Sequence, residues 1–148
     1  MPRTALVVPV AAAQAYYSAA PGVPAHVTIL FPFADRRDID ESALADLFTR
    51  FRAFDFVADR IESFEDGTRW LRPRPSTPFV DLTAAVQQRW PDYPPYEGAF
   101  DEVVPHLTIT ADDVPTPLAC RAEEVLLLEE HDGGTWSTVR SFAFQGVA

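Results

Sequence analysis

The chain has 148 residues, a length that suits one domain with a well-shielded core. Its net charge is −10, with 22 acidic residues against 12 basic ones, and every basic residue is an arginine. Such an acidic surface repels long polyanions, which argues against a dedicated binder of duplex DNA or long RNA. Without lysine, the chain cannot carry out Schiff-base or adenylated-lysine chemistry. Its single cysteine, Cys120, excludes an intrachain disulfide.

The N-terminal part of the chain predicts a strand followed by a helix. The apolar run from Ala5 to Val10 indicates a core strand. A signal peptide would explain the run less well, because Pro9 interrupts it. An alanine-rich helix is expected from Ala11 to Ala20, where Pro21-Gly22 ends it. No run approaches the ~18 apolar residues of a membrane span. We therefore expect a cytoplasmic protein without a membrane partner.

The middle of the chain predicts two helices separated by a β-hairpin. The first helix should run from Glu41 to Arg52 with Asp40 as its N-cap, because leucine and phenylalanine recur there at helical spacing. Asp66-Gly67 is a typical hairpin turn between two strands. The next helix is expected from Pro78 to Trp90, with Thr77 as its N-cap. Its predicted buried stripe consists of Phe79, Leu82, Val86 and Trp90.

The C-terminal part of the chain predicts a further strand, a short irregular stretch and a final hairpin. The strand lies at 105–110, and the hairpin turns at Asp132-Gly133-Gly134. Short hairpins require antiparallel pairing, so we expect an α+β fold with helices packed outside a curved sheet. No linker divides the chain, which indicates a single domain over residues 1–148.

Two copies of a short pattern, His-x-Thr within an apolar strand, stand out. They are His26-Val27-Thr28 and His106-Leu107-Thr108, about half a chain apart and each close behind a proline. Side chains alternate along a strand, so each histidine shares a face with its threonine while the aliphatic neighbours face the core. We expect two lobes that meet face to face, with four polar groups converging between them.

This constellation suits the cleavage of a phosphate ester without a metal. Two imidazoles that titrate near neutrality can act as base and acid in one turnover. The two threonine hydroxyls can donate hydrogen bonds to the non-bridging phosphoryl oxygens. The catalytic candidates are therefore His26, Thr28, His106 and Thr108, and no cofactor is expected.

At these motifs the sequence resembles the 2H phosphoesterases, in particular their 2′-5′ RNA ligase-like branch. The segments VPAHVTILFPF and PPYEGAFDEVVPHLTIT carry the resemblance, which covers nearly the whole chain. It implies a bilobal α+β fold with a pseudo-two-fold axis, in which antiparallel sheets form a central cleft. It also implies hydrolysis, or reversible ligation, at 2′,3′-cyclic phosphates or 2′,5′-phosphodiesters.

Three further residues are candidates for substrate binding. Trp70 and Arg72 would share one strand face, where an indole and a guanidinium can hold a base and a phosphate, although a solvated edge strand is the plainer interpretation. Tyr96 precedes the second motif and either lines the cleft or caps the core. His131 lies at a predicted turn; a metal site that includes it is an alternative, but we expect none.

The resulting hypothesis is a monomeric enzyme acting on a small nucleotide or an RNA end, with no duplex DNA as partner. A non-catalytic nucleotide or RNA-end binding module on the same fold is the alternative. A binder needs phosphate donors but not two titrating imidazoles, so the duplicated histidine favours the enzyme.

Overall fold

A computed structural model describes residues 3–18, 21–98 and 104–147, apart from the side chain of residue 97. Within these ranges the chain forms eight strands, two α-helices and three short 3₁₀ helices. The strands are β1 (Thr4–Pro9), β2 (His26–Leu30), β3 (Phe54–Ser63), β4 (Arg69–Arg74), β5 (Leu107–Ile109), β6 (Leu118–Ala122), β7 (Glu124–Glu130) and β8 (Trp136–Ala143). The helices are α1 (Glu41–Phe48) and α2 (Thr77–Arg89), and the 3₁₀ helices are Ala11–Tyr16, Arg36–Asp38 and Pro95–Gly98.

All eight described strands form one curled antiparallel sheet in the order β6-β3-β4-β5-β2-β1-β7-β8. The two motif strands, β5 and β2, lie side by side at its centre, with three strands on either outer side. Each motif strand follows its outer neighbour in the sheet through a helical connection: the 3₁₀ helix Ala11–Tyr16 joins β1 to β2, and α2 lies between β4 and β5. The expected α+β fold with two related lobes is thus confirmed, and the lobes share one continuous sheet.

The two faces of the sheet differ in chemistry because side chains alternate along each strand. Val27 and Ile29 of β2, with Leu107 and Ile109 of β5, belong to the main apolar core. Both α-helices contribute to that core as well, through Leu44 and Phe48 of α1 and Phe79, Leu82 and Val86 of α2. The helices therefore cover one face, and the histidines and threonines of the motifs are left on the other.

Several local predictions are confirmed. Asp40 caps α1, its side chain accepting a hydrogen bond from the backbone N–H of Ala43 at 3.1 Å. Asp66 shapes the β3–β4 turn by accepting from the backbone N–H of Thr68 at 2.8 Å. The first strand and the final hairpin also form where expected. These features depend on residues close in sequence, which is why periodicity and turn chemistry locate them.

Two helix predictions are wrong in extent. The expected helix from Ala11 to Ala20 is only a 3₁₀ helix that ends at Tyr16, and residues 19 and 20 lie outside the described residues. The carbonyl of Tyr16 instead accepts the backbone N–H groups of Thr110 and Ala111, so a tertiary contact replaces the next helical turn. Similarly, α1 ends at Phe48, four residues before the predicted end at Arg52.

Two further expectations need correction. The N-cap of α2 is Ser76 and not Thr77, which is already helical. The stretch expected to be irregular before the last hairpin contains β6, which pairs with β3 at the edge of the sheet. Among the described residues, no helix is long and apolar enough to cross a membrane.

Candidate active site

The register of the central strands brings the two motifs together. Val27 of β2 pairs with Leu107 of β5 in an antiparallel ladder. In such a ladder the flanking residues meet in opposite order, so His26 lies beside Thr108 and Thr28 beside His106. Each histidine therefore neighbours its own threonine along the strand and the other motif's threonine across it. Four polar side chains converge on one patch of the sheet, as the sequence predicted.

The two imidazoles are held in the same way. His26 Nδ1 lies 2.7 Å from the carbonyl oxygen of Pro24, and His106 Nδ1 lies 2.9 Å from that of Val104. A carbonyl oxygen can only accept, so each Nδ1 carries the proton and each neutral ring presents Nε2 as its basic nitrogen. Both carbonyls belong to the residue two positions before the histidine. The duplicated motif thus extends to the backbone group that orients each ring.

His26 is half-buried at this site, with the ring of Tyr17 edge-on to it at a centroid distance of 5.9 Å. Burial lowers the pKa of His26 below its usual value. The hydrogen bond to Pro24 opposes this effect, whereas the nearby charge of His106 adds to it. The electrostatic interaction between the rings agrees with the strand register, and it favours a neutral His26.

His106 has aromatic neighbours of its own. The ring of Phe64 lies edge-on to it at 5.1 Å, and the ring of Trp70 at 6.0 Å. Phe64 stacks on Trp70 at 5.0 Å and is 37% exposed, whereas Trp70 is only 4% exposed. The structure thus places Trp70 beneath Phe64, on the same face as Thr108, with which it pairs. Its direct contact with a substrate stays a prediction.

Phe64 is a site residue that the sequence pattern does not indicate. It lies just beyond β3, in the turn that Asp66-Gly67 forms, and isolated phenylalanines at such turns carry no recognisable signal. Only the stacking of the β3–β4 hairpin end against the second motif brings it to the site.

Tyr96 lies against the first motif. Its phenol shares a hydrogen bond with the side chain of Thr28, and burial raises the pKa of Tyr96. Its backbone N–H donates to the carbonyl oxygen of Phe31 at 2.6 Å, and its φ is 51°, the left-handed region that non-glycine residues seldom adopt. Such strained positions cluster at functional sites. The structure thus brings Tyr96 to the predicted catalytic residues.

Arg72 shares a sheet face with Trp70, as predicted, and its guanidinium lies 5.5 Å from the indole centroid. It also donates from Nε to Glu62 at 2.8 Å. The carboxylate offsets part of the positive charge that a phosphate would need. A role for Arg72 in substrate binding therefore stays a prediction.

His131 lies away from the motifs, in the β7–β8 turn, and its Nε2 is 2.6 Å from the hydroxyl of Ser137. No cluster of three or more histidine, cysteine, aspartate or glutamate side chains suited to a metal occurs in the part of the chain that the structure describes. The described side chains that meet at the motifs are two imidazoles, two aliphatic hydroxyls and a phenol.

A curled antiparallel sheet carrying two His-x-Thr motifs at its centre defines a two-histidine phosphoesterase fold. Comparison with known proteins agrees with this class. The model of the 2′-5′ RNA ligase superfamily matches residues 2–140. The chain belongs to this superfamily. A search of curated proteins finds no match.

Solved structures share the fold at low sequence identity. A phosphoesterase crystal structure is 17% identical, with a TM-score of 0.64, and the alignment covers 97% of this chain and 99% of that one. Escherichia coli LigT in complex with 3′-AMP is 17% identical, with a TM-score of 0.62 and coverages of 98% and 99%. The apo form of LigT is 18% identical, with a TM-score of 0.63 and 96% coverage of both chains.

Proposed function

We propose that this protein is a metal-independent 2H-type phosphoesterase that opens 2′,3′-cyclic phosphates or cleaves 2′,5′-phosphodiesters in small nucleotides or at RNA ends. The main observation behind this proposal is the pairing of β2 with β5. It places two histidines and two threonines, from motifs half a chain apart, next to one another. The shared Nδ1 hydrogen bonds add that both rings offer Nε2 for proton transfer. Family membership and fold support the reaction class.

The proposed reaction uses one imidazole as base and the other as acid. The base takes a proton from water as the water oxygen bonds to phosphorus. The P–O bond to the leaving ribose oxygen breaks, and the protonated imidazole supplies its proton to that oxygen. Each turnover exchanges the protonation states of the two rings, and solvent restores them. With an alcohol in place of water as the nucleophile, the same steps open a cyclic phosphate to a phosphodiester: the base takes the alcohol proton, the alcohol oxygen bonds to phosphorus, and the leaving ribose oxygen receives the proton of the acid.

The surroundings favour His26 as the base. Its lowered pKa keeps the ring neutral at neutral pH, which is the form that accepts a proton. His106 then takes the role of the acid. Thr28 and Thr108 donate to the non-bridging oxygens, and the bond between Thr28 and Tyr96 holds the first of these hydroxyls in place.

The nucleotide class of substrate is proposed from the relatives. LigT has been crystallised with 3′-AMP and with phosphate, which are respectively a nucleoside monophosphate and the anion alone. A patch built around two imidazoles and two hydroxyls suits the same phosphoryl group here.

The test is the opening of 2′,3′-cyclic AMP in excess EDTA by the wild-type protein and three alanine variants. His26→Ala and His106→Ala should each lose about 10²–10⁴-fold in kcat/KM, because each removes a proton-transfer group. His131→Ala is the matched control and should retain wild-type activity, since its ring lies in a surface turn. A cyclic ester whose leaving group needs no protonation should restore much of the rate of His106→Ala and little of that of His26→Ala.

Two outcomes would overturn the proposal. Loss of wild-type activity in EDTA would indicate a metal enzyme. Nucleotide binding without turnover of any cyclic or 2′,5′-linked substrate would indicate the binding module instead.

A further inference from the structure

A small apolar pocket adjoins the first motif. It encloses about 160 Å³ on the face of the sheet that carries His26 and Thr28, and both residues line it. The remaining lining side chains are aliphatic or aromatic and none is charged: Ala5, Val7, Val23, Phe31, Leu128 and Trp136. Val7 is the cross-strand partner of Thr28, so the pocket floor continues directly from the catalytic patch.

Two half-buried aromatic rings form the pocket wall. The centroids of Phe31 and Trp136 are 6.0 Å apart, with their planes inclined by 60°. The guanidinium of Arg3 lies 5.0 Å from the ring centroid of Phe31, and the same guanidinium pairs with Glu130 at 2.7 Å. The guanidinium of Arg3 thus packs against the aromatic wall, and the carboxylate of Glu130 neutralises its charge.

The chain segment before the first motif completes the pocket and orients His26. The backbone N–H of Trp136 donates to the carbonyl of Pro21 at 2.9 Å. Gly22 packs so closely on Trp136 that an added Cβ would lie 1.8 Å from the carbonyl oxygen of Trp136. Val23 follows as a lining residue, and Pro24 then supplies the carbonyl bound to His26 Nδ1. The same short segment, residues 21–24, therefore completes the pocket and holds the imidazole of His26.

We propose that this pocket receives the nucleobase of the substrate while its phosphate lies between His26 and His106. The inference rests on the proposed function and gives the substrate an orientation. A flat aromatic ring that offers its two faces for stacking, and that is bonded through ribose to the reacting phosphate, fits a pocket that is apolar, carries aromatic rings and opens onto His26 and Thr28. The wall beside His106 is different, since Arg72 and Glu62 accompany its aromatic rings.

The lining of the pocket also determines how strongly it discriminates between different nucleobases. With His26 and Thr28 committed to the phosphate, Trp136 is the remaining described lining residue whose side chain carries a polar group. Stacking and apolar contact are tolerant of sequence because every base has an aromatic face. All four bases should therefore be accepted, with purines binding more tightly than pyrimidines because they bury more surface.

The test measures binding, so it does not depend on turnover. Adenosine 2′-monophosphate is titrated calorimetrically into the wild-type protein, Trp136→Ala and Phe31→Ala, and each variant should bind at least about fivefold more weakly. Trp136→Phe keeps a flat ring and should restore most of the affinity. Val80→Ala, on the exposed face of α2, is the control expected to match wild type.

Inorganic phosphate separates loss of the pocket from loss of the fold. Its affinity, followed by NMR shifts of the histidine ring protons, should be the same in Trp136→Ala and wild type, because phosphate occupies only the catalytic patch. If both alanine variants bind the nucleotide as tightly as wild type, the base subsite is overturned while the phosphoesterase proposal stands. If the nucleotide binds through Trp136 but no substrate is turned over, the subsite stands and the catalytic proposal fails. If wild type does not bind the nucleotide, the subsite is overturned.

Discussion

At the residue scale, two chemically identical side chains occupy different surroundings. His26 is half-buried between Tyr17 and the apolar pocket, whereas His106 contacts Phe64 and Trp70 at the end of a hairpin. In both rings Nδ1 bonds to the backbone carbonyl two residues earlier, so the difference between the histidines arises from their environment and not from their tautomer. The proposed division into base and acid follows from this asymmetry.

The lowered pKa of His26 predicts a pH-dependent stability. In the unfolded chain this imidazole gains its proton near pH 6.5, and in the folded protein it does so only at lower pH. Between the two values the unfolded state binds more protons, so the stabilisation is complete above about pH 6.5 and is lost as the pH falls through the folded pKa. The slope of Tm against pH in that window should be smaller in His26→Asn than in wild type.

His131→Asn serves as the control for this measurement, because it removes an imidazole outside the site. Its Tm profile should keep the wild-type slope. An unchanged slope in His26→Asn would contradict the burial of a neutral His26.

At the scale of the elements, the segment between the first 3₁₀ helix and β2 depends on backbone contact. Gly22 has a φ of 88° and lies against the backbone of Trp136, at the start of β8. Gly67, in the β3–β4 turn, has a nearly identical φ of 90°, but nothing lies within 4 Å of its ideal Cβ position. The two glycines share a nearly equal positive φ and differ in what lies against them.

Alanine substitutions at Gly22 and Gly67 distinguish the cost of a positive φ from the cost of a steric clash. Gly67→Ala should cost about 1 kcal/mol in the free energy of unfolding, because alanine disfavours a positive φ. Gly22→Ala should cost clearly more than Gly67→Ala, since its Cβ must displace the β8 backbone, and it should also raise KM by disturbing the pocket. Urea denaturation midpoints provide the comparison. Equal costs at the two positions would show that the contact with Trp136 is not tight.

At the scale of the whole molecule, positive charge is scarce near the site. The net charge is −10, and several arginines are neutralised by ion pairs. On the face that carries the motifs, Arg72 pairs with Glu62 and Arg74 with Asp59, both on β3. Exposed pairs like these add little stability, but they do reduce the field that would attract a polyanion.

We therefore expect a preference for short substrates. The kcat/KM for a cyclic mononucleotide should equal or exceed that for a long single-stranded RNA with a 2′,3′-cyclic end. Raising the salt from 50 to 200 mM should change the value for the long RNA by less than about tenfold, because few phosphates are neutralised. Glu62→Gln releases Arg72 and should raise kcat/KM for the long RNA selectively. A steep salt dependence in wild type would contradict this prediction.

Features that depend on local pattern can be predicted from the sequence alone. Strand alternation predicts that His26 shares a face with Thr28, and capping and turn chemistry place Asp40 and Asp66. The repetition of His-x-Thr predicts that the two motifs converge. All of these follow from contacts between residues close in the chain, or from one motif appearing twice.

The residues that surround the motifs come from distant parts of the chain, and the assembled fold alone brings them together. The pairing of Val27 with Leu107, the stacking of Phe64 over Trp70, and the meeting of Phe31 with Trp136 join segments that are far apart in sequence. The same applies to Tyr16, whose carbonyl accepts from Thr110 where a longer helix was expected. The free energy of such contacts comes from burial and hydrogen bonding across the assembled sheet, and no local periodicity records them.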